Sequence, residues 1–342
     1  MKLYRTIFLT LACACILSSC AKDLTYSNFD LQRRIREAWL RINYPDLTAD
    51  EYGIYRLNVV PGNGTKPKDS AYIFFNMSQK DLEGTYISTG DSELAKKLRT
   101  YNDSLRYVPT IVRLNDYQLY DAIEDVFRDM TAGSKFTILV PPEKSIVSYP
   151  KEYLRTYGLT NTNQSNTNDI FEFEFVKHVD DIIEYQIDLL QKYGKEHYPV
   201  QFPGRVDSTS YGFYFAKLKT NYNPDDTIPQ GTVLRVEYIG KFLDDYCFDT
   251  NIQDSAKYYR KYNPDKEYER MDVSFYSDPS QVVEASSVVR GFANIISRMN
   301  YDEVAVGFFI SDLGYGSDGN GDIPGYEPLF FYIRTNKQGD DT

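Results

Sequence analysis

A chain of 342 residues with 42% hydrophobic and 25% charged side chains has enough material for two domains with real cores, which excludes intrinsic disorder and a polytopic membrane protein. Its 49 acidic side chains against 38 basic ones give a net charge of -11, which repels polyphosphate and excludes nucleic acid as a partner. The 31 Tyr and 20 Phe favour strands and apolar pockets with a hydroxyl at the rim, so a β-rich fold is expected.

In chain order, residues 1–19 come first as a signal peptide. Lys2 and Arg5 precede an apolar run over 7–17, too short to span a bilayer, followed by Ser18 and Ser19. Leu17-Ser18-Ser19-Cys20 resembles the bacterial lipobox, which implies acylation of Cys20 and a lipid-anchored cell-envelope protein, on the outer membrane, with the periplasmic or surface face left open. A cleaved signal with a chance cysteine is the alternative. Residues 1–19 hold two positive and no negative charges, so the mature charge of -13 rules out a polybasic tether and leaves anchoring to the lipid. Cys13 and Cys15 leave with the signal, which gives Cys247 no partner within the chain. It is expected to be a small buried hydrophobe without chemistry.

Residues 20–50 form the lipidated N-terminus and a helix near 31–40 that carries Trp39, taken as a packing residue. Beyond it the chain repeats itself: Tyr52-Gly53-Ile54-Tyr55 is echoed by Tyr211-Gly212-Phe213-Tyr214. Strands over 71–75 and 233–238 follow, then amphipathic helices over 116–130 and 286–299, then strands over 135–140 and 303–310, and last 170–176 and 328–334. Residues 179–193 read as a linking helix ended by Gly194 and Pro199, and 158–169 as a polar loop. The expected class is α+β, with two units over 51–178 and 206–337, a linker over 179–205 and a tail over 338–342.

Val236-Glu237-Tyr238-Ile239-Gly240-Lys241, Asp244-Asp245, Phe248-Asp249, Val288-Val289-Arg290-Gly291-Phe292, Leu313-Gly314-Tyr315-Gly316, Ile323-Pro324 and Leu329-Phe330-Phe331 stand in an order and spacing that resembles FKBP-type peptidyl-prolyl cis-trans isomerases. The resemblance covers about 206–336 and implies a twisted antiparallel sheet wrapped over one helix, with proline-containing polypeptides as substrates and no cofactor or metal. It assigns Tyr238, Phe248, Phe292 and Phe331 to the pocket walls, with Phe292 on the floor where the family commonly has Trp. It also implies that Val288 and Val289 line the pocket, the Val289 N–H holding the substrate carbonyl. Tyr315 would reach the peptide, and Asp249, held by Tyr238, would face the carbonyl under rotation. Residues 250–270 read as an insertion longer than the family's usual bulge, with Val273 the nearest candidate for the next wall.

The first unit resembles the same fold with the site lost: Tyr86-Ile87 stands at the Phe-Asp position, Ile123 at the floor, and Ser145-Ile146-Val147 at the Ala-Tyr-Gly turn. Gly314-Tyr315-Gly316-Ser317-Asp318-Gly319 fits a dinucleotide pattern, but Asp322 and Pro324 follow it instead of a helix, so it reads as a turn. His178 and His197 lack the neighbours that zinc or triad chemistry needs. Two functions compete: a lipid-anchored isomerase assisting folding of envelope or exported proteins, and a non-catalytic FKBP-like subunit of an envelope complex.

Overall fold

Two six-stranded antiparallel sheets, one from each half, make an α+β architecture. The computed structural model describes residues 27–150, 155, 165–198, 211–221 and 227–336; the expected signal peptide, Cys20, residues 158–164, Pro199 and the tail lie outside the described residues. The first half runs α1 (Asn28–Asn43), β1 (Tyr55–Val60), β2 (Tyr72–Lys80), β3 (Tyr86–Thr89), α2 (Ser92–Leu98), β4 (Thr110–Arg113), α3 (Asp121–Asp129), β5 (Lys135–Val140) and β6 (Asp169–Val179). After α4 (Ile182–His197), the second runs β7 (Phe213–Lys219), β8 (Val233–Lys241), β9 (Cys247–Thr250), α5 (Gln253–Tyr258), β10 (Met271–Ser274), α6 (Pro279–Ser286), α7 (Arg290–Ile296), β11 (Val304–Phe309) and β12 (Leu329–Asn336). The strand orders are β1-β5-β6-β2-β3, with β4 also on β2, and β7-β11-β12-β8-β10, with β9 also on β8. Strand for strand, the two halves share one topology.

The echoed tetrapeptides lead into the first strand of each sheet. Gly53 (φ 79) and Gly212 (φ 72) take the left-handed turn that only glycine adopts freely, and a Cβ at Gly212 would meet Ile310 at 2.7 Å.

Three helix expectations need correction. The helix expected over 116–130 begins only at Asp121, because Asn115 and Tyr117 at positive φ make a turn first. The helix expected over 286–299 narrows to α7, because a separate helix precedes it: Asp278 caps α6 with Pro279 in its first turn, Ser287 (φ 53) ends it left-handed, and Val288 and Val289 run extended into α7. Gly194 does not end α4, since Tyr193 and Tyr198 on either side pack against Phe308 and Phe330 and hold the last turn. Trp39 is half-buried and donates its indole N–H to the Leu82 carbonyl at 2.7 Å, pinning α1 to the first half.

β11 is buried along its whole length because both its faces are covered. On one face α7 packs Phe292, Ile295 and Ile296 against Leu234, Ala305 and Ile333; on the other, α4 packs Ile187, Leu190 and Tyr193 against Val306 and Phe308. Gly307 makes room for Ile295, whose Cδ1 would lie 2.4 Å from an added Cβ.

The insertion over 250–270 has a counterpart in the first half. Both β-hairpins shift register at the same place, between Gln79 and Lys80 and between Gly240 and Lys241, which equates Ser88 with Asp249 and Thr89 with Thr250. From there 90–109 and 251–270 are equal in length and alike in detail. Ala95 and Ala256 are buried, and Arg99 (φ 60) and Arg260 (φ 57) are left-handed. Tyr101 stacks on Tyr107 and Tyr262 on Tyr268, while the Tyr107 and Tyr268 hydroxyls accept the N–H groups of Asn102 and Asn263. Each half thus carries the same helix-and-loop strap.

The first strap joins the halves. The Arg106 side chain, only 15% exposed, donates to Asp244 (2.7 Å), pairs with Glu327 (2.9 Å) and lies 4.2 Å from the Phe242 ring centroid. Ser104 offers its carbonyl to the Tyr246 hydroxyl and the Lys261 ammonium, and Asp103 pairs with Arg260 at 2.8 Å.

Candidate functional site

The site is built where β8, β9 and β12 converge on the extended segment before α7. Period-2 alternation along β8 sends Leu234 and Val236 into the core and brings Tyr238 to the cavity end of the same face. Gly240 lies between the rings of Phe248 and Phe331, where a Cβ would stand 2.5 Å and 3.1 Å from their atoms. β12 supplies Phe331, and the start of α7 supplies Val288, Val289 and Phe292. The loop after β11 contributes Tyr315; linker residue Gln186 anchors that loop by accepting the Ser311 N–H at 2.7 Å and donating to the Tyr326 carbonyl at 2.8 Å.

All eight pocket residues singled out by sequence, Tyr238, Phe248, Asp249, Val288, Val289, Phe292, Tyr315 and Phe331, line one cavity of about 390 Å³. Its floor is an edge-to-face aromatic set. Phe331 meets Phe292 at 5.2 Å and 90° and Phe248 at 5.7 Å and 81°, and Tyr238 meets Phe292 at 6.1 Å and 88°.

At the rim the Tyr238 hydroxyl donates to Asp249 Oδ2 at 2.5 Å. Burial, and then Asp249 as acceptor, push the Tyr238 pKa far above the ordinary tyrosine value, so the hydroxyl stays a donor. Asp249 Oδ1 accepts the Thr250 N–H at 2.9 Å and the Lys266 ammonium at 2.6 Å. The carboxylate is thus held by the strap on one side and by the tyrosine on the other. Asn251 fixes the strap's base, accepting the Tyr238 N–H at 2.8 Å and donating to the carbonyls of Val236 and Glu269.

Sequence reasoning missed Met271, Ser287, Asn320 and Lys266. Met271, rather than Val273, is the next wall; the two share a face of β10, but Val273 lies deeper, wholly in the core. The alternation Met271-Asp272-Val273 was the available signal. Lys266 was hidden because the strap was read as an unplaced bulge. Cys247 is buried, and its thiol is pushed up to about 11 mainly by that burial, so it is not a nucleophile.

In the first half, register puts Ile87-Ser88, and not Tyr86-Ile87, at the Phe248-Asp249 position; the shared bulge displaces the alignment by one residue. Ile123 is in the core, and Tyr120 caps α3 where Val289 caps α7. The Tyr120 ring packs edge-on against Phe171 at 6.2 Å. Register equates Phe171 with Phe331, but Met77, Ile87, Ser88 and Ile123 stand where Tyr238, Phe248, Asp249 and Phe292 do, so the carboxylate and the rest of the aromatic wall are lost there.

The class is therefore an α+β protein of two like-built halves, the second holding an aromatic cup with a hydrogen-bonded carboxylate at its lip. No protein-family model matches the chain, and no curated protein does. Among solved structures it is similar to the three FKBP domains of wheat FKBP73, at 16% identity over 84% of this chain and 95% of that one, with a TM-score of 0.27. It is also similar to FkpA from Escherichia coli, at 17% identity over 52% of this chain and 68% of that one, with a TM-score of 0.29. Scores this low say nothing of chemistry, which is read from the cavity's own residues.

Proposed function

We propose that the second half is an FKBP-type peptidyl-prolyl cis-trans isomerase, acting on proline-containing segments of envelope or exported polypeptides. The supporting observation is the cup itself: walled by Tyr238, Phe248, Phe292 and Phe331, large enough for a proline ring, and with Asp249, Ser287 and Asn320 as its polar lining. Rotation about a Xaa-Pro bond meets a barrier of about 18–20 kcal/mol because twisting breaks amide conjugation. A twisted amide is less polar than a planar one, so a dry aromatic cup favours the twisted form over the ground state, which is differential transition-state binding. Neither nucleophile nor metal takes part in such a step.

The residues divide the work by position. Phe248, Phe292 and Phe331 receive the ring, and Val288 and Val289 line the approach. The Val289 N–H, just ahead of α7, receives the substrate carbonyl, and Tyr315 meets the peptide. Tyr238 holds Asp249, which faces the carbonyl as it turns. We further propose that 51–178 and 206–337 are the two units, and that Cys20 carries the lipid that anchors them at the outer membrane, alone or within an envelope complex.

The test is a protease-coupled prolyl isomerisation assay on the full chain beside Asp249→Ala and Phe331→Ala. Catalysis above background, lowered about tenfold or more in both variants, is expected. A rate equal to background in the unmodified chain leaves only the non-catalytic binding reading.

A further inference from the structure

The first strap does not do what its twin does. In the second half, Lys266 reaches from the strap to Asp249 and donates to the Thr250 carbonyl at 3.1 Å, capping the free edge of β9 from within. In the first half the matching positions hold Ser88, Thr89 and Leu105. With no cation crossing it, the space between β3 and the strap is a cavity of about 530 Å³, whose lining includes Ile87, Leu98, Leu105 and Tyr107. Ile87 is 59% exposed and Leu105 56%, so apolar side chains stand open at its mouth.

Among the described residues β3 is the last strand of its sheet and pairs only with β2. The Gly90 N–H bonds the Met77 carbonyl, a register that turns the N–H and C=O of Ser88 toward β2 and those of Thr89 outward, while the bulge at Ile87 interrupts the alternation and stands its side chain at the trough. A strand edge without a strand partner beside an apolar trough complements an extended polypeptide.

We propose that the first half binds an extended, apolar segment of another polypeptide by strand addition along β3, with an apolar side chain seated in the trough. The second half already uses the equivalent surface to hold a chain segment, since Tyr246 and Lys261 grip the Ser104 carbonyl. Thr85 and Thr100 stand at those positions in the first half, and both line the trough. A second copy of this chain is the poorer occupant: its free strap tip carries Glu267 where Arg106 stands, and Glu267 would meet Glu83 where Asp244 stands.

The experiment titrates the full chain into a fluorescein-labelled, proline-free peptide of alternating valine and threonine, about six residues long, followed by anisotropy. Saturable binding is expected, together with slowed amide exchange over 86–89. The double substitution Ser88→Asp/Leu105→Lys rebuilds the twin's cap from two exposed positions and is expected to weaken binding at least about tenfold with an unchanged melting curve. Should that variant melt early, Leu105→Ala decides, with weaker binding expected. No saturable binding, undiminished binding in the variants, or sedimentation showing that copies of the chain fill the trough would overturn the proposal.

Discussion

A single methyl group behind the cup tests its geometry. In Gly240→Ala the new Cβ would lie 2.5 and 2.6 Å from Cε2 and Cζ of Phe248 and 3.1 Å from Cε1 of Phe331. Carbons rest roughly 3.5–4.0 Å apart, so the Phe248 ring must retreat by about 1 Å. Phe242 stands behind it at 5.1 Å, which leaves the cavity as the open direction. Such overpacking costs about 1–3 kcal/mol, partly offset by the better strand propensity of alanine. We expect a fall of about 3–8 °C in melting temperature and a loss of about tenfold in kcat/KM for prolyl isomerisation. Gly90→Ala, whose Cβ would come no closer than 3.4 Å to another atom, serves as the control. If Gly240→Ala melts and turns over like the unmodified chain, the two rings do not close on that strand, and the cup described above is wrong.

Other outcomes follow from the same coordinates. Tyr238→Phe removes a donor from a carboxylate that still keeps Thr250 and Lys266, so about 1 kcal/mol of stability is expected to go at neutral pH, read by urea denaturation. Because the Tyr238 pKa is raised on folding, the native chain keeps a proton that the unfolded chain loses above about pH 10. Its contribution is whole below that pH and is lost as pH rises beyond it, so the variant should show a shallower alkaline loss of stability. Arg106→Ala strands Glu327, only 12% exposed, without its cation and should cost about 3–5 kcal/mol. Two separate melting transitions for the two halves are expected. Burial already raises the Glu327 pKa against the pull of Arg106, so in the variant mild acid, which protonates Glu327, should restore part of the loss. Tyr107→Phe and Tyr268→Phe each remove the acceptor of an asparagine N–H, and matching losses of about 0.5–1.5 kcal/mol in denaturant titrations would bear out the equivalence of the straps.

Much of this molecule is written locally. The alternation of Val233 to Tyr238, the glycine turns before β1 and β7, and the apolar stripe of Phe292, Ile295 and Ile296 depend on neighbours in sequence, so strands, repeat and core helix are legible from residue order. The eight cavity residues were legible through the order and spacing that resemble FKBP-type isomerases; periodicity alone marks only the strand aromatics Tyr238, Phe248 and Phe331. Three things were not. Helix ends turned on left-handed residues such as Ser287, and on packing that carried α4 past Gly194, neither of which periodicity reports. The strap's duplication was masked by divergent side chains and appeared only through matched registers and matched tyrosine stacks. Lys266 at Asp249, Arg106 at Glu327, and the open trough where Leu105 replaces a lysine are contacts between segments distant in the chain. Sequence supplies the groups that can meet, but only the folded backbone decides which pairs come within reach of a hydrogen bond.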